Sequence, residues 1–160
     1  MPAERTGLIK PLTHWVLRTA LCQCLTWHQQ GLRFGIAVNL SARNLQDPQL
    51  PDQVAGLLFD CALPQGSLGL EITESIIMTE PVRAMEVLTQ LHQMGIRLSI
   101  DDFGTGYSSL GYLNRLPVEE IKIDRSFIKD MVVDEDAAVI VRSTIELGRN
   151  LGLKVVAEGV

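Results

Sequence analysis

Residues 97–106 read RLSIDDFGTG, and this stretch decides how the fold of the chain is interpreted. It predicts a strand over 97–102 that ends in two consecutive acids, Asp101 and Asp102, followed by a glycine-rich turn. Because side chains alternate across a strand, Asp101 points away from Ile100. Two adjacent acids repel each other unless a cation lies beside them. The stretch therefore predicts a strand that delivers acids to a cation-binding loop.

Four other apolar, strand-like segments each carry one polar residue. These residues are Asn39, Glu71, Lys122 and Glu158. An unpaired acid or lysine among aliphatic side chains is costly to bury, so we expect all five polar positions to converge. The carboxyl ends of parallel strands provide such a meeting place. An amide, three carboxylates and an ammonium gathered there would bind divalent cations and an anionic substrate.

Strands and helices alternate along the chain. The pattern predicts strands over 34–41, 68–74, 97–102, 120–124 and 154–160. We expect Thr13 to cap the first helix, and Asp134 to cap a last helix that ends at Gly152. The order implies parallel strands with right-handed crossovers. Because a full (β/α)8 barrel takes about 250 residues, we expect an α/β fold that is an incomplete barrel of about five strands.

Composition narrows the class of protein. The 160 residues are 46% hydrophobic and 21% charged, which is typical of a soluble globular domain. A net charge of -5 argues against a non-specific nucleic-acid binder. No apolar run is long enough for a membrane span. The cysteines, Cys22, Cys24 and Cys61, lack a zinc spacing, and we interpret them as reduced residues of a cytoplasmic protein.

Three further features of the sequence bear on the site. Glu74, three residues after Glu71, is either part of the site or a solvated loop acid. Gly104 and Gly106 suit backbone conformations that are closed to other residues, although the turn lacks the lysine of a phosphate-binding P-loop. Lys122 lies either on an exposed edge or among acids, and the acids on neighbouring strands favour pairing.

In order and spacing, the motifs closely resemble the EAL-domain family of cyclic di-GMP phosphodiesterases. The resemblance rests on NLSAR at 39–43, EITES at 71–75, DDFGTGYSSL at 101–110, KIDRSF at 122–127 and VVAEGV at 155–160. It implies a modified (β/α)8 barrel of the TIM type. It also implies two divalent cations, Mg²⁺ or Mn²⁺, and the hydrolysis of cyclic di-GMP to linear pGpG.

The resemblance also implies a role for each matching residue. Metal ligands are expected at Asn39, Glu71, Asp101 and Asp102. Lys122 is expected to position the attacking water and offset charge, and Glu158 to act as a metal-linked acid or base. Glu74 is expected to anchor the loop over 102–110. Residues near the substrate are expected at Ser41, Arg43, Gly104, Thr105, Gly106 and Tyr107.

The chain also departs from the family, because it has no Glu-Ala-Leu tripeptide and no late Gln-Gly segment. We therefore expect residues 1–160 to be a partial EAL domain that lacks the N-terminal strands with that tripeptide and the C-terminal strand. Whether such a chain is active alone stays open. Open sheet edges favour aggregation or a homodimer, and flanking sensor or diguanylate cyclase domains are expected in the full-length protein.

Two alternatives remain beside the phosphodiesterase. One is a cyclic di-GMP receptor or regulatory interaction module without catalysis, a type that the family also contains. The other is a metal-dependent barrel of the enolase type, which also places acids and a lysine on strand ends. The loop that begins at Asp101 disfavours the enolase type.

Overall fold

A computed structural model of the protein describes residues 7–77, 80–106 and 110–160. Its centre is a five-stranded sheet whose strands pair in sequence order, each neighbouring pair being parallel. The strands are β1 (Ile36–Leu40), β2 (Leu68–Thr73), β3 (Arg97–Phe103), β4 (Glu120–Ile123) and β5 (Lys154–Ala157). The α/β fold, an incomplete barrel of five strands, is thus confirmed.

Eight helices connect or flank the strands in the described part of the chain. They are α1 (Ile9–Gln29), α2 (Ala42–Leu45), α3 (Leu50–Cys61), α4 (Glu74–Ile77), α5 (Pro81–Gln93), α6 (Leu110–Leu113), α7 (Arg125–Asp130) and α8 (Glu135–Leu151). The long helices contribute their apolar stripes to one core shared with the sheet. Among the described helices, none has the length and apolar character needed to cross a membrane.

Helix ends test two of the predicted caps. Asp134 caps α8, since its carboxylate accepts a hydrogen bond from the Asp136 backbone N–H at 2.9 Å, and Gly152 ends the helix at φ +70°. The predicted cap at Thr13 is wrong because α1 already begins at Ile9, whose side chain is buried. Thr13 instead lies inside α1 and donates a hydrogen bond to Asn44 Oδ1.

The sheet has one apolar face and one polar face. On the apolar face, aliphatic side chains are at most 1% exposed, and these are Leu70, Ile72, Leu98, Ile100 and Ile121. Burying each such side chain contributes about 1.5–3 kcal/mol, so this face supplies much of the stabilising burial. The intervening residues of the same strands point to the other face, where the predicted site residues lie.

Candidate functional site

Strand register determines which polar side chains share a level of the sheet. Asn39 on β1 is the register partner of Glu71 on β2, and Glu71 is in turn the partner of Ser99 on β3. Asp101 lies two residues beyond Ser99 and therefore points to the same face. The register thus brings Asn39, Glu71 and Asp101 to one face near the carboxyl ends of three adjacent strands.

Lys122 lies at the centre of the polar face. Its Nζ is 3.1 Å from Glu71 Oε1, 3.1 Å from Asp101 Oδ1 and 2.6 Å from Glu158 Oε1. The lysine side chain is 14% exposed, and those of the acids are 13–28% exposed. The predicted pairing of Lys122 with acids of neighbouring strands is confirmed. We call Lys122, Glu71, Asp101 and Glu158 the lysine cluster.

The charge of Lys122 follows from two opposing effects. Burial by itself would lower the pKa of the ammonium group, because the charged form loses hydration. Hydrogen bonds to Glu158, Asp101 and Glu71 act in the other direction and prevail, so the pKa of Lys122 is raised above its ordinary value. Lys122 is therefore a permanent positive charge, and in the neutral pH range it can donate hydrogen bonds but not accept a proton.

A bulge in β3 places two consecutive acids at the site. The pairing of β3 with β4 shifts register between Ile100 and Phe103, and Asp102 has a left-handed φ of +53°. In a regular strand, adjacent side chains would point to opposite faces. Here Asp101, Asp102 and Glu158 instead present carboxylate oxygens that all lie within 4.8 Å of one another.

Asp124 joins the acids, although the sequence pattern did not assign it a role. Burial, the neighbouring charge of Asp101 and a hydrogen bond with Asp124 together raise the pKa of Asp102. The Ser126 hydroxyl and backbone N–H donate to Asp124 and hold its pKa low. The available signal was spacing, because Asp124 follows Lys122 by two residues and so continues the same side of the chain.

The donor set fits a divalent cation. Three carboxylates whose oxygens lie within 4.8 Å of one another are ligands of the kind that Mg²⁺ and Mn²⁺ bind. Asp102 in particular lies in an excess of negative charge, since Asp101, Asp124 and Glu158 all raise its pKa. A cation between these groups would relieve that repulsion.

Glu74 lies beneath the loop that follows β3. It is 4% exposed, and its Oε2 accepts a hydrogen bond from the Gly104 backbone N–H at 3.4 Å. The alternative of a solvated loop acid is therefore wrong. Gly104 has φ +98°, which confirms the predicted need for glycine there. At Gly106 the reason is close approach, because a Cβ would lie 3.2 Å from Glu74 Cδ.

The remaining predicted site residues have structural contacts of their own. The Ser41 hydroxyl and backbone N–H both donate to Asn44 Oδ1, at 2.8 and 3.0 Å, and so cap α2. Arg43 is exposed on α2, and the exposed Thr105 donates from Oγ1 to the Asp102 carbonyl at 2.8 Å. Tyr107 lies outside the described residues. The role of these residues near a substrate stays a prediction.

Comparison with known families decides the identity of the fold, because the EAL domain matches residues 1–160. The chain belongs to the EAL domain family. This membership removes the enolase-type alternative. MucR of Pseudomonas aeruginosa, named as a bifunctional diguanylate cyclase and cyclic di-GMP phosphodiesterase, is 48% identical over 159 residues. The cyclic di-GMP phosphodiesterase NbdA of the same organism is 43% identical over 159 residues.

Solved EAL structures agree with this assignment. A cyclic di-GMP complex of the MucR phosphodiesterase has a TM-score of 0.93 at 48% identity, covering 99% of this chain and 64% of that one. The EAL enzyme Bd1971, bound to cAMP and cyclic di-GMP, has a TM-score of 0.91 at 30% identity, covering 99% and 44%. Of the two curated relatives, the alignment covers 99% of this chain but 23% of MucR and 20% of NbdA.

Proposed function

We propose that this chain is part of a phosphodiesterase domain that hydrolyses cyclic di-GMP to linear pGpG with the help of two divalent cations. The observation that carries the proposal is the lysine cluster, in which one ammonium group meets acids from three other strand ends. The EAL relatives named as cyclic di-GMP phosphodiesterases supply the substrate class. On this proposal, residues 1–160 are a partial EAL domain.

The residues that would hold the cations are Asp101, Asp102, Glu71 and Asn39, with Glu158 linked to them through its carboxylate. Bound divalent cations supply Lewis-acid polarisation of the phosphate and a bound water of lowered pKa. Within this set, the bulge at Asp102 presents two consecutive carboxylates to the same space. A need for both acids would account for a non-glycine residue in the left-handed region at this point of β3.

The chain's own groups would then act on the phosphodiester. Lys122, held protonated by three carboxylates, would position an attacking water through its charge and offset the negative charge that develops on the phosphate oxygens. Glu158 is the most exposed acid of the lysine cluster, at 28%, and would accept a proton from that water. Attack on phosphorus proceeds in line with the departing 3′ oxygen.

The loop after β3 completes the proposed site. Glu74 anchors the loop through the Gly104 N–H, which would hold Thr105 and Gly106 near the substrate. A role near the substrate is also proposed for Ser41, Arg43 and Tyr107. MucR is named as a bifunctional cyclase and phosphodiesterase, which supports flanking cyclase or sensor domains in the full-length protein. The homodimer is proposed because β1 and β5 are edge strands of the described sheet.

The test is chromatographic detection of linear pGpG after incubation with cyclic di-GMP and either Mn²⁺, Mg²⁺ or a chelator. We expect product with either metal ion and none with the chelator. Glu71→Ala should abolish turnover, whereas Glu86→Ala, at an exposed position of α5, should not. Both variants are to be compared in this chain and in a version extended at both ends. Product from Glu71→Ala in the extended version would remove Glu71 from the site.

A receptor without catalysis is the second candidate. It is favoured by one observation: the Lys122 ammonium pairs with Glu71, Asp101 and Glu158, which are acids that the phosphodiesterase would need as metal ligands or as a base. Calorimetric titration with cyclic di-GMP distinguishes the two functions. Binding without pGpG formation in the extended version, with Mn²⁺ present, would support the receptor and overturn the phosphodiesterase.

A further inference from the structure

An apolar stripe lies on the outward face of α1. Leu8, Leu12 and Trp15 are spaced by four and three residues, which places them on one side of the helix. They are 60%, 44% and 63% exposed, whereas Leu17 and Leu21, on the opposite side, are buried in the core. The stripe leaves roughly 300 Å² of apolar surface in water, a size at which patches on monomers are often functional.

The charge around this stripe is positive. Residues 7–43 contain four basic residues and no acid, the basic residues being Lys10, Arg18, Arg33 and Arg43. Lys10 pairs with Asp47, whereas Arg18 is exposed three residues after Trp15 and so extends the same side of α1. We call Leu8, Leu12, Trp15 and Arg18 the basic stripe. A partner that fits it combines apolar side chains with negative charge.

The turn between α7 and α8 has these complementary properties. Residues 130–136 read DMVVDED, and every one of them is exposed. Val132 and Val133 are 86% and 88% exposed, with acids on both sides. The helix dipole favours acids such as Glu135 and Asp136 in a first turn, but it gives no reason for two adjacent valines in water. We call residues 130–136 the acidic corner.

The basic stripe and the acidic corner lie at opposite edges of the molecule. α1 packs on β1, and α8 packs on β4 and β5. Since β1 and β5 are the two edge strands of the described sheet, four strand spacings, or about 19 Å, separate them. The two surfaces therefore do not meet within one chain.

We propose that the basic stripe of one copy of this chain binds the acidic corner of a second copy, head to tail. Val132 and Val133 would pack against Leu12 and Trp15, and Arg18 would face the acids of the corner. An anionic lipid surface would suit the basic stripe alone and would leave the exposed valines of the corner without a role. The contact does not depend on the proposed hydrolysis.

The contact is heterologous, because two different surfaces meet, and this distinguishes it from a symmetric homodimer. Each pair of copies keeps one basic stripe and one acidic corner free, so that further copies can add. The two patches together bury roughly 600 Å² of apolar surface, which is below the size of stable complexes. We therefore expect weak association, with a Kd of roughly 10–100 µM.

The test is sedimentation velocity of the 160-residue chain from about 5 to about 500 µM, a range that brackets the expected Kd. The mean mass should rise with concentration and pass that of a dimer. Trp15→Glu removes the stripe and Val133→Asp removes the corner, so each variant alone should stay monomeric. An equimolar mixture of the two should form a one-to-one dimer and nothing larger, because one intact stripe and one intact corner remain.

The matched control is Phe59→Glu, which charges another exposed aromatic residue, on α3 and outside both surfaces. It should associate as the wild-type chain does, and unchanged circular dichroism should show that the variants are folded. Arg18→Glu should weaken association at least about tenfold, since it brings like charges together.

The remaining results have definite meanings. A wild-type chain that stays monomeric throughout would overturn the proposal, as would self-association that either Trp15→Glu or Val133→Asp retains. A mixture of these two variants in which no dimer forms would overturn it as well. Binding of the wild-type chain to vesicles of phosphatidylglycerol and phosphatidylcholine, without self-association, would assign the basic stripe to a membrane surface instead.

Discussion

The two faces of strand β2 carry different kinds of residue. Leu70 and Ile72 are fully buried against the helices, whereas Gly69 and Glu71, on the other face, are respectively small and charged. The first set stabilises the fold by removing apolar surface from water. The second set leaves space at Gly69 and places a charge at Glu71. The comparison teaches that stability and chemistry are divided between the faces of the same strands, so that substitutions at adjacent positions should affect different measurements.

The largest expected effect is on the polar face. Lys122→Met removes the cation shared by Glu71, Asp101 and Glu158, and should lower turnover of cyclic di-GMP by about 10²–10³-fold. It should also lower the free energy of unfolding, by at most about 3 kcal/mol, because three partly buried carboxylates lose their shared partner. Turnover by product chromatography and urea unfolding measure the two effects.

The control for this variant is Lys154→Met, which removes an exposed lysine from β5 without touching the lysine cluster. It should change neither quantity by more than about 0.5 kcal/mol or its equivalent in rate. If both lysine variants had equal effects, net charge and not the cluster would account for the loss.

The next effect separates neighbours on one strand. Leu70→Ala leaves a cavity in a fully buried position and should lower the free energy of unfolding by about 2–5 kcal/mol. Gly69→Ala should be far milder, since its Cβ would meet only ordinary contacts, the nearest being Ala37 Cβ at 3.7 Å. Chemical denaturation of both variants is the measurement. Equal destabilisation by Leu70→Ala and Gly69→Ala would contradict the inference that the two faces of β2 contribute differently to stability.

A smaller effect is expected where the strand passes into its loop. Gly104→Ala forces an L-residue to φ +98° and brings its Cβ to 3.1 Å from Phe127, which should cost about 1–3 kcal/mol. Gly106→Ala needs only a shift of the Glu74 carboxyl, and should cost less. Thermal unfolding ranks the two variants. The reverse order would mean that the contact with Glu74 limits the loop more than its backbone does.

The smallest expected effect lies in the helical layer. Lys10 Nζ is 2.8 Å from the buried carboxylate of Asp47, and this hydrogen bond holds the pKa of Asp47 below its ordinary value despite burial. The contribution is therefore present above the unfolded-state pKa and is lost as the pH falls through the folded-state pKa. Because Lys10 is 56% exposed, we expect about 1 kcal/mol.

The measurement for this prediction compares the wild-type chain with Asp47→Asn by urea unfolding between pH 7 and pH 3. The wild-type chain should be the more stable at pH 7, and the difference should shrink as the solution becomes more acidic. A difference that does not depend on pH would show that the Asp47 charge is irrelevant and that its hydrogen bonds alone matter.

Alternation of side chains made the sheet and the main part of the site predictable. The position of Glu71 between Leu70 and Ile72 sufficed to place it on the polar face, and the same reasoning placed Asp101 and Lys122. The bulge could not be predicted, since strict alternation separates Asp101 from Asp102. The residues alone left the burial of Glu74 open, because it depends on a loop that is distant in sequence, and only the family resemblance implied that Glu74 anchors that loop.

Helix starts were less predictable than strands. Thr13 is a residue type that often caps helices, but α1 extends further toward the N-terminus because this buries Ile9. Thr13 then lies inside the helix and donates a hydrogen bond to Asn44. Asp124 was missed for a related reason. Its role as the cap of α7 is a local contact found in the structure, whereas its contact with Asp102 depends on tertiary structure.

The bulge at Asp102 makes the length of β3 matter more than its composition. Substituting Leu98 by another aliphatic residue would leave the direction of every later side chain unchanged. Deleting one residue between Ile100 and Phe103 removes one of the two acids and would restore a regular ladder, in which only the remaining acid reaches the polar face. The apolar positions of β3 should therefore tolerate substitution by other aliphatic residues, whereas an insertion or deletion should not be tolerated. This difference gives a simple criterion for engineering the domain.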